Sequence, residues 1–377
     1  MVKRITAAFL CAAFLCAAPG LSAETVTSAE IYMNSSALIN EKGISSPPLS
    51  ASGGVTLSVD STKADAVKSS IRFTVDNTAA LSLEKAYIKA RFPWVVSDTS
   101  LRFTAGKAPL SWGKGFVFNA GDLVFGSVPP LAGLSNGEYR TAADWMALAY
   151  LPLGPFSFAE LVYLPPVSRS AGGSVTTGGS EPAAAVSAPS PLNRAGGRMY
   201  LSADAGFLQS VEGGYLYEEA TIQKGYLALD GSLFFDWYGS ASIRTEQGNK
   251  NRYELSFGLF RVFNFIPDVP LSFRAEGLVY PEQNRLIWFP SLQAGLTDSL
   301  SASFQGLFAT GKETGEVDAG GTGGAPMLES GNALTAIVCT WTPLKGITLS
   351  GTLYRYIEKG DLLKPDTIVQ LGVKSSF

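Results

Sequence analysis

Apolar and polar positions alternate along most of the chain. In residues 231–246, Leu233, Phe235 and Trp237 occupy alternate positions, and most of the intervening positions are polar or charged. Period-two alternation is typical of a β-strand with one buried face. The segments run to about ten residues or more, the length that a tilted strand needs to cross a bilayer. The same pattern recurs in residues 198–207, 299–308 and 367–377.

The connections between these segments are of two kinds that follow one another in turn. Tight connections are predicted at 153–155, 229–232, 297–299 and 343–346, and longer polar ones at 246–251, 281–284 and 358–365. Residues 168–196 and 311–331 are much longer and have no pattern. Short turns at one end and long loops at the other are typical of transmembrane barrels. We therefore predict an all-β fold, a transmembrane antiparallel β-barrel of about 18 strands.

The strand count depends on one irregular segment. Counting from near Val55 gives eighteen strands if Leu110 to Phe125 is one irregular strand. If that segment is not a strand, the alternative is a barrel of sixteen strands.

The two ends of the chain carry features of export and assembly. Lys3 and Arg4 precede an apolar run and small residues at 20–23, which predicts a cleaved signal peptide over residues 1–23. We expect residues 24–53 to form an N-terminal periplasmic segment or small plug, and residues 54–377 to form the barrel. The alternation continues to Phe377, as expected for a last strand paired on both edges. A terminal aromatic resembles the membrane assembly signal of bacterial outer-membrane barrels, which implies the barrel assembly machinery as a partner.

The amino-acid composition excludes several classes of function. The chain has no histidine, so no imidazole base is available and most zinc and haem sites are excluded. We predict no enzyme activity, no catalytic residues, no cofactor and no metal. With 29 basic and 32 acidic residues, no basic excess points to nucleic acid.

Residues 102–122 contain a motif. They resemble the G-[RK]-x-x-x-x-W-G signature, followed by N-x-x-D, of several porin-like outer-membrane families. Lys107 stands where those families usually have Arg, and Ala120 where they often have Pro. The glycines permit a bend or bulge. Whether the segment places Lys107 and Asp122 in the lumen or forms a structural strand end with an interfacial tryptophan stays open.

Seven other aromatic residues are predicted to mark the two membrane interfaces, with a sugar-stacking surface as the alternative. These residues are Trp94, Trp145, Trp237, Trp288, Trp341, Phe289 and Tyr354.

The sequence predicts an outer-membrane porin-type channel for passive diffusion of small hydrophilic solutes. The alternatives are a surface adhesin or antigen that displays the long loops, and a hydrophobic-solute channel. Expected partners are outer-membrane lipid and small solutes. Selectivity is expected from lumen charges. The candidates are Arg102, Lys107, Asp122, Arg198, Asp204, Arg244, Arg274 and Glu276.

Overall fold

The computed structural model describes most of the chain from Glu24 to Phe377. The described residues are 24–40, 43–44, 50–63, 66–77, 79–93, 100–128, 142–166, 192–203, 205–219, 222–266, 269–311, 331–357 and 366–377. The predicted signal peptide, Trp94, Asp204 and most of the two long segments lie outside them. In the described part of the chain, no helix is long and apolar enough to cross a membrane.

Nearly all of the regular structure is β-strand. The first ten strands are β1 (Glu24–Asn40), β2 (Gly43–Ile44), β3 (Ser50–Lys63), β4 (Val67–Asp76), β5 (Leu81–Pro93), β6 (Ser100–Pro109), β7 (Ala143–Pro152), β8 (Phe158–Leu164), β9 (Arg194–Ser202) and β10 (Ser210–Glu218). The others are β11 (Ile222–Ser232), β12 (Asp236–Glu246), β13 (Arg252–Ile266), β14 (Val269–Tyr280), β15 (Arg285–Thr297), β16 (Leu300–Thr310), β17 (Ala333–Leu344), β18 (Ile347–Ile357) and β19 (Asp366–Ser376). One 3₁₀ turn, Pro281–Gln283, joins β14 to β15.

Eighteen long antiparallel strands close into a barrel, which confirms the predicted fold class. Each of β3 to β19 pairs with its neighbours along the chain, and β1 closes the sheet by pairing with β19 on one side and β3 on the other. The two-residue β2 pairs only with the end of β1. A closed sheet leaves no strand edge without hydrogen-bond partners, as a lipid environment requires.

The N-terminal boundary of the barrel differs from the prediction. Residues 24–40 are a barrel strand with ten register pairs to β19, so assigning residues 24–53 to a periplasmic segment or plug was wrong. The count of eighteen is right for a different reason. β1 adds a strand, whereas Leu110 to Phe125 is not one. Many polar side chains in β1, such as Ser28 and Asn34, weakened its apolar signal.

The connections sort to the two ends of the barrel. The connection from β1 to β3 and those after β4, β6, β8, β10, β12, β14, β16 and β18 lie at one end, the loop end, and include the three longest connections. The other end, the turn end, holds Glu24, Phe377 and the short turns. One predicted turn was misplaced, because residues 229–232 belong to β11 and the turn is at 233–235. Residues 194–196, predicted as loop, begin β9.

The outer surface is apolar. Phe257, Leu259 and Leu371 are among the outward side chains that are 41% or more exposed. Such an extended apolar surface is stable in a bilayer rather than in water, so the barrel is a membrane-spanning one.

Tryptophans mark both rims of this surface. Trp145 and Trp288 lie near the loop end, and Trp237 and Trp341 near the turn end. Phe289 is only 2% exposed and packs inside the barrel, and Tyr354 pairs with buried Ala336, so these two residues were wrongly assigned to the interfaces.

The closing strand provides the first test. The Phe377 N–H donates to the Ala29 carbonyl (2.9 Å), and Ala29 N–H donates back (3.2 Å), so the last residue extends the seam between β19 and β1. We expect Phe377→Asp to reduce the heat-modifiable folded species in isolated membranes, because a charge on the outer row opposes insertion. Phe377→Tyr, which keeps the aromatic ring, is the matched control. Normal amounts of folded Phe377→Asp protein would contradict an assembly role.

Candidate functional site

Residues 110–128, here called the lumen loop, leave β6 at the loop end and fold into the barrel. Trp112 and Asn119 have no solvent-exposed surface, and Phe118 is 1% exposed. The loop contacts inward side chains of β9 to β14, on strands far away in sequence. The W-G and N-x-x-D parts of the resembled motif lie in this segment and build an internal loop, whereas Gly106 and Lys107 precede it in β6.

Glycines permit the turns of the lumen loop. Gly113 has φ +72° and Gly115 φ +155°, which side-chain-bearing residues rarely adopt. A Cβ on Gly113 would lie 2.6 Å from the Asn119 side-chain oxygen, and one on Gly115 would lie 1.9 Å from the Phe118 carbonyl oxygen. The local fold therefore requires glycine at both positions.

Asn119 and Asp122 hold the loop together from inside. The Asn119 side-chain amide donates to the Trp112 carbonyl (2.7 Å), and its side-chain oxygen accepts from Gly121 N–H (3.0 Å). The Asp122 carboxylate accepts from Phe125 N–H (3.1 Å). These bonds account for the N-x-x-D part of the motif. Asp122 is 3% exposed, so it is a structural residue of the loop rather than a charge facing water.

Two buried glutamates of the wall bind the loop backbone. Glu276 on β14 is fully buried, and its Oε2 accepts from Val117 N–H (2.8 Å) and Phe118 N–H (2.9 Å). Glu212 on β10, 2% exposed, accepts from Gly113 N–H (2.8 Å) and from the Tyr226 hydroxyl. Carboxylates buried in this way are stable only with several donors.

Other wall side chains bind further backbone groups of the loop. Arg198 Nη1 donates to the Ser111 carbonyl (3.0 Å), and Ser256 Oγ accepts from Ala120 N–H (2.9 Å). Ser240 Oγ donates to the Lys114 carbonyl (3.2 Å). Arg194 Nη1 reaches the Val124 carbonyl (3.3 Å). The polar groups of an irregular segment are thus satisfied by side chains instead of strand partners.

Apolar contacts fix the loop on two sides of the barrel. At one side, Trp112, Leu123 and Val124 pack with inward residues of β6 to β11, including Met146 and Leu216. At the other, Val117, Phe118 and Ala120 pack with inward residues of β14 to β16, including Leu278 and Phe289. The loop therefore spans the loop-end half of the lumen over β6 to β16.

Most acidic residues on the loop-bearing wall are neutralised by nearby cations. Arg198 Nε lies 2.6 Å from Glu160 and its Nη1 3.0 Å from Glu212. Arg274 Nη1 lies 3.3 Å from Glu276 Oε1. Further pairs are Arg194–Asp144 (2.5 Å), Lys224–Glu218 (2.6 Å) and Lys114–Asp230 (3.3 Å).

The facing wall carries a row of cations, the basic column, on inward positions of β4 to β6. It consists of Lys68, Arg72, Lys85, Lys89, Arg91 and Arg102. The inward direction follows from the register, because these residues alternate with outward Ile88, Phe92 and Phe103.

The basic column is largely uncompensated. Arg72 Nε lies 3.9 Å from Glu84, but Lys85, Lys89, Arg91 and Arg102 have no carboxylate within ion-pair distance among the described residues. The free charge on this wall is therefore positive.

A stack of aromatic rings lies on the adjacent strands β7, β8 and β9 near the turn end. The Phe158 ring stacks on Tyr150 (4.8 Å between centroids) and on Tyr200 (5.0 Å). The Arg102 guanidinium lies 4.7 Å from the Tyr150 ring centroid, and Lys114 Nζ lies 5.0 Å from that of Tyr200. Because the rings stack on one another and under cations, few ring faces remain for a sugar.

The predicted lumen residues other than Asp122 lie on inward rows, on an outward row or outside the described residues. Arg102, Arg198, Arg244 and Arg274 lie on inward rows, and the structure brings Arg198 and Arg274 against the lumen loop. Glu276 is also inward but fully buried under that loop. Lys107 lies on the outward row with Phe103, and its Nζ donates to the Leu83 carbonyl (2.5 Å), so its placement in the lumen was wrong. Asp204 lies outside the described residues.

Sequence reasoning missed the loop anchors and the basic column. Glu212 and Glu160 were not singled out, nor were Lys85, Lys89 and Arg91. For the column a signal existed, since Lys85, Lys89 and Arg91 fall on alternate positions of one apolar-patterned strand. For Glu212 none existed, because its loop partner is 99 residues away.

Comparison with known proteins places the fold. No family model and no curated protein matches the chain. The structure is similar to Pseudomonas aeruginosa OccD3 (OpdP), with 12% identity and a TM-score of 0.58 over 95% of this chain and 92% of that one. It is also similar to Acinetobacter baumannii OccAB4, with 11% identity and a TM-score of 0.52 over 93% of this chain and 98% of that one. Wzi, an Escherichia coli outer-membrane protein of group 1 capsule assembly, is 11% identical, with a TM-score of 0.59 over 93% of this chain and 84% of that one. The chain therefore has the fold of bacterial outer-membrane barrels.

Tryptophan replacements test the internal loop. Trp112 is fully buried between loop and wall, whereas Trp145 is 37% exposed on the outer surface. We expect Trp112→Ala to lower the free energy of unfolding by about 3–5 kcal/mol, as for other buried aromatic truncations. Trp145→Ala is the control and should cost much less. The measurement is equilibrium unfolding of the refolded barrel in detergent, and equal losses for the two variants would contradict the placement of Trp112.

Proposed function

We propose that the protein is an outer-membrane porin-type channel through which small hydrophilic solutes diffuse passively, with a preference for anions. The observation that carries the proposal is the excess of cations in the basic column, where Lys85, Lys89, Arg91 and Arg102 have no carboxylate within ion-pair distance among the described residues, in the lumen of a closed barrel of eighteen long strands. The loop end is then extracellular and the turn end periplasmic, following the usual disposition of long loops and short turns.

The strand number supports a water-filled lumen. Barrels of 16–18 strands leave an aqueous channel, whereas eight-stranded barrels are filled by side chains. The lumen loop occupies only the side of the lumen formed by β6 to β16. The remaining wall carries many small polar inward side chains, such as Thr56, Ser58, Thr74 and Thr352.

The distribution of charge supports anion preference. On the loop-bearing wall, Glu160, Glu212 and Glu276 are neutralised by arginines, and Glu212 and Glu276 also bind the loop backbone. On the facing wall, Lys85, Lys89, Arg91 and Arg102 have no carboxylate within ion-pair distance among the described residues. In water a charge acts over about one Debye length, about 8–10 Å at physiological salt. Adjacent members of the basic column therefore create one continuous positive potential, which raises the local concentration of anions.

The same proposal includes how the protein reaches its membrane. A signal peptide over residues 1–23 and recognition of Phe377 by the barrel assembly machinery fit the closed barrel, and outer-membrane lipid covers its apolar surface. Passive diffusion needs no catalytic step and no cofactor. The resemblance of the W-G…N-x-x-D segment to porin-like families supports a porin-type role, because here that segment builds a loop inside the lumen.

Planar-bilayer recordings test the channel and its selectivity. We expect the purified barrel to conduct, and the reversal potential in a KCl gradient to indicate higher permeability for chloride than for potassium. Lys89→Gln should lower this permeability ratio, since it removes one charge of the basic column. The effect should shrink as the salt concentration rises, because screening shortens the range of the charge.

Lys107→Gln is the matched control for Lys89→Gln. It also removes one lysine charge, but from the outward row, so the reversal potential should stay unchanged. A barrel that is folded yet gives no conductance would overturn the channel and favour a barrel that displays its surface loops. Conductance with cation preference would overturn only the assignment of the basic column.

A further inference from the structure

The lumen loop presents one short edge whose side chains are partly exposed. Phe116 is 40% exposed, and the Lys114 side chain is 29% exposed, in a loop whose other apolar side chains are mostly buried. Gly115 lies between them with φ +155°. Residues 114–116, here called the loop edge, are therefore the part of the loop that faces the open lumen.

The two loop-binding glutamates bracket this edge. Glu212 accepts from Gly113 N–H, the residue immediately before the edge, and Glu276 accepts from Val117 N–H, the residue immediately after it. Each carboxylate is in turn held by an arginine of the wall, Arg198 for Glu212 and Arg274 for Glu276. The edge is thus fixed at both ends by the same arrangement.

The side chains of the edge are also held. The Arg274 guanidinium lies 3.7 Å from the Phe116 ring centroid, and Lys114 Nζ lies 3.3 Å from Asp230. The same Arg274 therefore contacts both Glu276 and Phe116. Replacing the Glu276 carboxylate would therefore disturb both the loop backbone at Val117 and the Phe116 ring.

We propose that Glu212 and Glu276 are positioning residues that fix the loop edge across the lumen and thereby set the largest solute that the channel admits. The inference rests on the proposed channel function for its second half only. A carboxylate suits the task because one oxygen of Glu276 binds two backbone N–H groups while the other faces Arg274. A glutamine has a single side-chain oxygen, so it cannot serve both partners.

Amide hydrogen exchange tests the anchoring without any transport measurement. In Glu276→Gln we expect the Val117 and Phe118 amides to exchange about tenfold faster than in the unaltered protein, because each loses a charge-assisted hydrogen bond. The exchange rate of the Gly113 amide, which is bound by Glu212, should change less. The reciprocal pattern is expected for Glu212→Gln. Unchanged exchange at Val117 and Phe118 in a folded Glu276→Gln protein would overturn the anchoring.

A milder variant and a matched control accompany this test. Ser256→Ala removes only the acceptor of Ala120 N–H, so it should raise exchange at Ala120 and fold even if the glutamate variants do not. Glu246→Gln neutralises a wall carboxylate that pairs with Arg244 at 3.5 Å and has no hydrogen bond to the loop among the described residues. Glu246→Gln should leave the amide hydrogen exchange rates of the lumen loop unchanged. Faster loop exchange in Glu246→Gln would mean that general loss of wall charge, not anchoring, is the cause.

Polymer exclusion tests the second half of the proposal. Neutral poly(ethylene glycols) of graded size, added to planar bilayers, lower the conductance only if they enter the channel. In Glu276→Gln we expect larger polymers to enter and the open-channel current noise to increase. An unchanged size limit together with faster exchange would overturn the role in solute size. Absence of conductance in the unaltered protein would defeat the channel proposal while the exchange result still decides the anchoring.

Discussion

The arrangement of the lumen depends on one constraint, which is that backbone polar groups removed from water must find partners. The strands meet it by closing the sheet, with β1 paired to both β3 and β19. The lumen loop has no strand partner, so the wall supplies side chains instead. Glu212, Glu276 and Ser256 accept from its N–H groups, and Arg198 donates to a carbonyl.

This requirement explains where acidic and basic side chains lie in the lumen. Acidic side chains are needed where backbone N–H groups of the loop point at the wall, and each buried carboxylate then needs a cation beside it. Arg198 and Arg274 meet that need on β9 and β14. The charges of these strands are therefore largely compensated. In the basic column on β4 to β6, Lys85, Lys89, Arg91 and Arg102 neutralise no loop-binding carboxylate among the described residues, so their charges can act on solutes.

Alternation along single strands made most of the fold predictable. Because the side-chain period of a strand is two, the outward rows of β12, β14 and β19 could be read from the sequence, and long alternating segments indicated a membrane barrel. The prediction failed at β1, where serine and asparagine break the apolar row. It failed again at 110–125, where an irregular segment rich in glycine was taken for a strand that crosses the membrane rather than a loop inside it.

The sequence by itself determined the barrel class and which side chains share a face, since these depend on neighbours one or two residues apart. It also marked the W-G…N-x-x-D segment as unusual. Only the tertiary structure decided what the charges do. Glu276 became a buried anchor because closure brings its part of β14 under the path of the loop, whereas Arg102 lies near the turn end of β6, beside the Tyr150 ring. Contacts between residues 99 to 159 positions apart leave no local pattern in the chain.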